Sequence, residues 1–290
     1  MGALRGAHAR KLPPAGMSNR PRERGPQHEH CPATGTSMND AFRHLPELCD
    51  RIVGAEVSGL RITDEMLAAW DVQALARGLG RAWRVSDEAL DASRRATLSG
   101  IADSQDLWVF AYGSLMWDPG FHFAEVRRAS LPDYQRRFTH TTTIGRGSPE
   151  HPGLVLSLER GAGHCDGLAF RIERAIIERE SRIIWRREMI LGGYQPRILP
   201  VSTPQGTVDA LALISDPADE RGAPEMPLHE VATVITHACG NRGTNLDYLR
   251  QVVEQLDRLC VTDDYVGRLA CLAGIGPRGG CPTTPAGCGN

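Results

Sequence analysis

Residues 107–115, Leu-Trp-Val-Phe-Ala-Tyr-Gly-Ser-Leu, form an apolar run that stops at a Gly-Ser pair. A run this short and this apolar fits a strand buried in a sheet, and the glycine that follows is a turn signal. Further strand candidates lie at LVLSL (154–158), DGLAFRIE (166–173), PRILPV (196–201) and VDALALIS (208–215), with Gly and Pro between them. Helical character appears at 174–188, at 227–238 (Leu228, Val231, Ile235, Ala238) and at 245–260 (Leu246, Leu249, Val253, Leu256, Cys260). Strands dominate the middle of the chain; helices interrupt and close it. That order predicts a mixed α+β domain over 106–275 rather than regular βαβ alternation.

The flanks read differently. Residues 41–105 are expected to form a helical N-terminal extension, with a helix over 62–79 that Thr63 can cap. Its apolar face would be Met66, Ala69, Trp70, Ala74 and Leu75. Residues 1–40, rich in Pro, Gly, Arg and His, and residues 276–290 lack core-forming patterns and are expected to be disordered tails. Met17 and Met38 are alternative starts.

Composition excludes several classes of function. The formal net charge of −2 gives no global field for nucleic acid or an anionic membrane surface. No apolar stretch is long enough to span a bilayer, and no apolar run follows the basic residues near the N-terminus. The eight cysteines are scattered and form no C-x-x-C. They read as reduced thiols, so a cytoplasmic location is expected.

Three features can carry chemistry. Tyr112-Gly113-Ser114-Leu115 ends the first strand, and a glycine there lets the backbone expose successive N–H groups to a carboxylate or an oxyanion. The alternative is a turn without a ligand. Glu188 falls at i+11 from Ile177 and i+4 from Ile184, on one apolar helix face. A carboxylate on such a face is either ion-paired, here with Arg186, Arg187 or Arg197, or raised in pKa as a general acid/base requires. Gly240-Asn241-Arg242-Gly243-Thr244-Asn245 can end one helix and cap the next, whose N-terminus could meet an anion; turn chemistry alone favours a simple helix–turn–helix connection.

Other groupings are weaker. His28, His30 and Cys31 cluster within the N-terminal tail, where an ordered metal frame is not expected. Arg127-Arg128 and Arg136-Arg137 fit solvated strand ends or ion pairs better than phosphate sites. Ser114 with His237 lacks the G-x-S-x-G elbow of a serine hydrolase. Nucleotide-binding glycine motifs are absent from the sequence.

From Leu107 to Leu272 the chain resembles the ChaC-type γ-glutamylcyclotransferases, and its bacterial branch most. The matching stretches are VFAYGSLMWDPGF (109–121), YQRRF (134–138), GRGSPEHPGLVLSL (145–158), CDGLAFRI (165–172), WRREMILGGYQPR (185–197) and HACGNRGTNLDYL (237–249). Many relatives carry His-Arg-Gly where this chain has Gly145-Arg146-Gly147, so no role for that histidine carries over. The resemblance implies a small closed or nearly closed β-barrel with flanking helices. It implies catalysis by Glu188 and a γ-glutamyl pocket lined by Tyr112, Gly113, Ser114 and Leu115, with Arg146, Tyr194 and Tyr248 contributing. It further implies a lyase-type cleavage of glutathione, in which the α-amine attacks the γ-carbonyl to give 5-oxoproline and Cys-Gly. No metal or organic cofactor is called for, and the expected partner is the small-molecule substrate alone. Other γ-glutamyl amides or amino acids, or a non-enzymatic regulatory binding role, are the alternatives.

Overall fold

The computed structural model describes residues 38–276, apart from 77, 79, 81–82, 217–221 and 223–225. The His28–Cys31 cluster and nearly all of both expected tails lie outside the described residues. A short helix α1 (Met38–Ala41) begins just inside the segment expected to be unstructured.

Five strands close into a barrel in the order β1-β3-β2-β4-β5. Strand β1 (Leu107–Ala111) is the apolar run with which the sequence analysis began, and all of it is buried except the half-buried Trp108. It pairs antiparallel with β3 (Gly153–Ile172) and parallel with β5 (Gly206–Ser215). Strand β2 (Glu125–Thr142) forms a long antiparallel hairpin with β3 and meets β4 (Tyr194–Thr203) at the single pair Ser130↔Ser202. The β4–β5 hairpin turns through Pro204-Gln205 between Thr203 and Gly206, and Gly206, just past the turn, takes a positive φ (113°) that glycine adopts without strain.

Two strand candidates, 154–158 and 166–173, are one continuous strand. The residues between them, from Arg160 to His164, are mostly exposed and lie opposite the Pro132–Tyr134 register shift of β2, so their polar composition is no interruption. Strand β2 carries no continuous apolar run. It alternates buried and open positions, with register shifts near Pro132–Tyr134 and Phe138–His140, and Asp133 has a positive φ at the first.

The helices flank the barrel. Helix α2 (Asp64–Ala76) buries Leu67 and Ala74 against Trp83, with Trp70 beside them. Ala69 and Leu75, expected on the apolar face, are exposed. Helix α3 (Asp87–Leu98) packs on α4 (Ile177–Glu188), with Trp185 Nε1 bonded to Ser93 Oγ at 3.2 Å and Arg94 paired with Glu178 at 2.7 Å. Helix α4 buries Ile177, Ile183, Ile184 and Trp185, each contributing about 1.5–3 kcal/mol by removal from water. Helix α5 (Leu228–His237) buries Val231, Ala232 and Ile235, and α6 (Asn245–Arg258) buries Tyr248, Leu249, Val252 and Leu256. Cys260, expected on the face of that last helix, lies beyond it and is exposed. A further helix, α7 (Asp264–Leu272), follows; it is capped by Asp263, whose side chain accepts from the Val266 N–H at 3.0 Å. One apolar core joins Ala41, Phe42, Leu45, Leu48 and Ile52 to the barrel strands. No helix among the described residues is long and apolar enough to cross a membrane.

Candidate active site

The first strand delivers the site. After Ala111, Tyr112 turns its ring into the core, and its hydroxyl donates to the Leu213 carbonyl of β5 at 2.9 Å. Gly113 follows, then a single 3-10 turn, Ser114–Met116, closed by Met116 N–H donating to Gly113 O at 2.9 Å. The N–H groups of Gly113, Ser114 and Leu115 meet no acceptor among the described residues. The Leu115 side chain is buried, which leaves its backbone as the part that can face a ligand.

Gly113 sits where a side chain would crowd its neighbours. A Cβ there would lie 3.1 Å from Tyr248 Oη and 3.6 Å from Leu156 Cδ1. Helix α6 is oriented for this contact by its N-terminus. Thr244 caps it, accepting from Asp247 N–H at 3.0 Å, and the fully buried Asn245 amide bonds both the N–H and the carbonyl of Leu154 at 2.7 Å. The segment between α5 and α6 is a small hairpin, β6 (Cys239–Gly240) with β7 (Gly243–Thr244), rather than a bare helix–turn–helix link. Gly240 packs so tightly against the carbonyls of Gly145 and Gly147 that no Cβ fits. Asn241 Oδ1 accepts from Gly145 N–H at 3.0 Å, and Arg242 N–H donates to Gly145 O at 2.8 Å.

Glu188 is the last residue of α4. The face it shares with Ile177 and Ile184 is buried, but the carboxylate stands at its rim, 17% exposed, rather than within the core. Its Oε1 lies 2.6 Å from Arg187 Nε. Of the three arginines the sequence offered as partners, Arg187 is the one used; Arg186 pairs with Asp64, and Arg197 donates to Gln195 Oε1 at 3.3 Å. Arg187 itself is nearly buried. Its Nη2 donates to Ser114 Oγ at 3.0 Å, and its Nη1 donates to the Asp118 carbonyl. The ion pair therefore sits on the Tyr112–Leu115 turn.

The remaining residues converge on the same place. Burial raises the pKa of Tyr112 well above the tyrosine range, with smaller contributions from Tyr194 and the Glu188 charge. Burial raises Tyr248 too; the Leu156 backbone opposes this and Glu188 adds to it. Arg146 is lowered by burial, against the pull of Tyr248 and Asp247. Its guanidinium stands 5.9 Å from the Tyr248 ring centroid and donates to Gln251 Oε1 at 2.9 Å. Tyr194 donates to the Leu156 carbonyl at 3.3 Å, and its ring stacks on His140 at 5.0 Å. Arg242 has a lowered pKa, from desolvation first and then from the charge of Arg187, with Asp118 opposing. His237, by contrast, is exposed and turned to its own helix, Nδ1 lying 2.7 Å from the Thr233 carbonyl, while Ser114 is engaged by Arg187. No group of His, Cys, Asp and Glu among the described residues could hold a metal ion.

Sequence reasoning left out Leu156 and His140, named Arg242 only as part of the Gly240–Asn245 connection, and treated Arg187 only as one of several ion-pair candidates. The signal for Leu156 was its place in a strand next to the GRG loop; for Arg187 it was adjacency to Glu188.

A sequence description of the family "ChaC-like protein" matches residues 107–273. The glutathione-specific γ-glutamylcyclotransferase of Escherichia coli K12 is 36% identical over 185 residues, covering 63% of this chain and 80% of that protein. The human glutathione-specific γ-glutamylcyclotransferase 1 is 30% identical over 191 residues, covering 63% of this chain and 86% of that protein. The crystal structure of the yeast γ-glutamyl cyclotransferase specific to glutathione superposes with a TM-score of 0.55 at 20% identity, covering 58% of this chain and 96% of that one, a likeness of fold.

Proposed function

Since the chain belongs to the ChaC-like protein family, we propose that it is a γ-glutamylcyclotransferase acting on glutathione, with Glu188 as general acid/base. The observation that carries this reading is the bridge Glu188–Arg187–Ser114, which ties the carboxylate through one guanidinium to a turn whose three backbone N–H groups lack an acceptor among the described residues.

The chemistry asks for both parts. In a γ-glutamyl amide the α-amine is the internal nucleophile, and with a pKa of roughly 8 it is mostly protonated at neutral pH. A carboxylate within reach takes that proton and then delivers one to the departing amide nitrogen, so that 5-oxoproline and Cys-Gly leave. Closing the lactam ring also requires the γ-glutamyl chain to be held folded, and orientation of this kind supplies several kcal/mol, roughly. The N–H groups of Gly113, Ser114 and Leu115 bind the α-carboxylate or the developing oxyanion. Tyr112, Tyr194 and Tyr248 wall the pocket. Arg146, Arg187 and Arg242 bring three guanidinium groups to the site, and a substrate with two carboxylates can use them.

Release of 5-oxoproline from glutathione, γ-glutamyl-alanine and γ-glutamyl-lysine in competition tests the proposal. Glutathione is expected to be consumed first. Preference for γ-glutamyl-lysine overturns the substrate, and release from none of the three overturns the enzyme.

A further inference from the structure

Arg136 has no part in the chemistry above. The sequence placed it at a solvated strand end or in an ion pair, yet its side chain is 0% exposed. Burying a guanidinium is costly unless its charge is paired and its N–H groups find acceptors. Here Nε lies 2.9 Å from Asp263 Oδ2 without hydrogen-bond alignment, Nη2 donates to the Asp166 carbonyl, and Nη1 donates to the Tyr112 carbonyl at 2.7 Å.

The last contact reaches the site. Tyr112 O and Gly113 N–H belong to one peptide plane. That peptide is trans, as all peptides of the described chain are, so the two groups point to opposite sides of the backbone. With the oxygen held by Arg136, the Gly113 N–H is directed away from it and stays free of any acceptor among the described residues. A charged donor on the oxygen also polarises the peptide and strengthens its N–H as a donor. Gly113 has no side chain to resist a rotation of this plane, so the orientation depends on what holds the carbonyl.

We propose that Arg136 is a positioning residue, whose grip on the Tyr112 carbonyl aims the Gly113 N–H at the substrate. This rests on the reading of the Tyr112–Leu115 turn as the γ-glutamyl-binding element.

The test compares the full chain as wild type, Asp263→Asn, Arg136→Lys and Arg136→Met/Asp263→Asn, reading melting temperature, kcat and KM with glutathione. The double variant removes the buried charge pair as a unit and strands no carboxylate. Its kcat/KM is expected to fall about 100-fold below that of Asp263→Asn, the scale of a lost backbone donor. Arg136→Lys, which keeps one charged donor, is expected to recover part of that loss. Equal kcat/KM in the double variant and Asp263→Asn overturns the proposal. If the double variant does not fold, the lysine variant decides: unchanged kcat/KM overturns, and a loss of about tenfold at a near-wild-type melting temperature supports. A second readout separates this proposal from the functional one. In Glu188→Gln, glutathione should shift the Gly113 amide resonance, and adding Arg136→Lys should reduce that shift. An equal shift in both overturns the role of Arg136, whereas a wild type that releases no 5-oxoproline overturns the functional reading.

Discussion

Ser114 Oγ accepts a hydrogen bond from Arg187 Nη2 at 3.0 Å, and through that bond the last turn of α4 is tied to the end of β1. The same guanidinium lies 2.6 Å from Glu188, so one side chain sets the distance between the carboxylate and the turn. The planar fork is what allows two simultaneous contacts. Arg187→Lys keeps the charge and loses the fork. Its kcat/KM for glutathione is expected to drop on the order of tenfold, a loose catalytic geometry rather than a lost one. Steady-state kinetics with the melting temperature alongside checks this; full activity would detach Arg187 from the site.

Gly113 and Tyr248 provide a second prediction. A Cβ at 113 would press on Tyr248 Oη at 3.1 Å. Gly113→Val is therefore expected to raise KM for glutathione strongly, and Gly113→Ala less. Removing the hydroxyl opposite, in Gly113→Ala/Tyr248→Phe, should recover part of the Gly113→Ala loss relative to Tyr248→Phe alone, because residues in contact are energetically coupled. Strict additivity across the cycle would contradict the packing described.

The acid limb of stability has a named contributor. Glu180 is fully buried in α4; burial alone would raise its pKa, but Arg61, the His122 N–H and Arg179 outweigh it, and the net shift is downward from about 4.5. A folded-state pKa below the unfolded one adds stability that is present above about pH 4.5 and lost as pH falls through the folded value. Arg61→Met removes the two-pronged partner of the carboxylate, leaves it to Arg179 and the His122 N–H, and is expected to cost about 1.5–3 kcal/mol near neutral pH. It should also flatten the decline in stability below about pH 4.5. Urea melts across that pH window check both; an unchanged acid limb would remove the pair from the account.

Much of this was legible from residues alone, and for physical reasons. Strand β1 is covered on nearly all sides, so it reads as an unbroken apolar run. Glu188 declared itself by sharing a helical face with Ile177 and Ile184, though spacing could not tell a core position from a rim position, and the carboxylate lies at the rim. Strand β2 was not legible. Its buried residues alternate with open ones, and one of the buried ones is an arginine whose charge is met by Asp263, 127 positions later, in a segment with no periodic signal of its own. Helix α7 was missed for the same reason: nine residues give little periodicity, and the capping Asp263 looks like any loop aspartate. Arg186 and Arg187 are neighbours in sequence, and the direction of α4 sends one to Asp64 and the other to Ser114.

The most direct measurement is the yield of 5-oxoproline and Cys-Gly from glutathione with purified wild type and Glu188→Gln side by side. The account predicts both products in equal amounts from the wild type, and loss of turnover in a Glu188→Gln protein that melts at a near-wild-type temperature. A folded Glu188→Gln protein that turns over glutathione at the wild-type rate would contradict it.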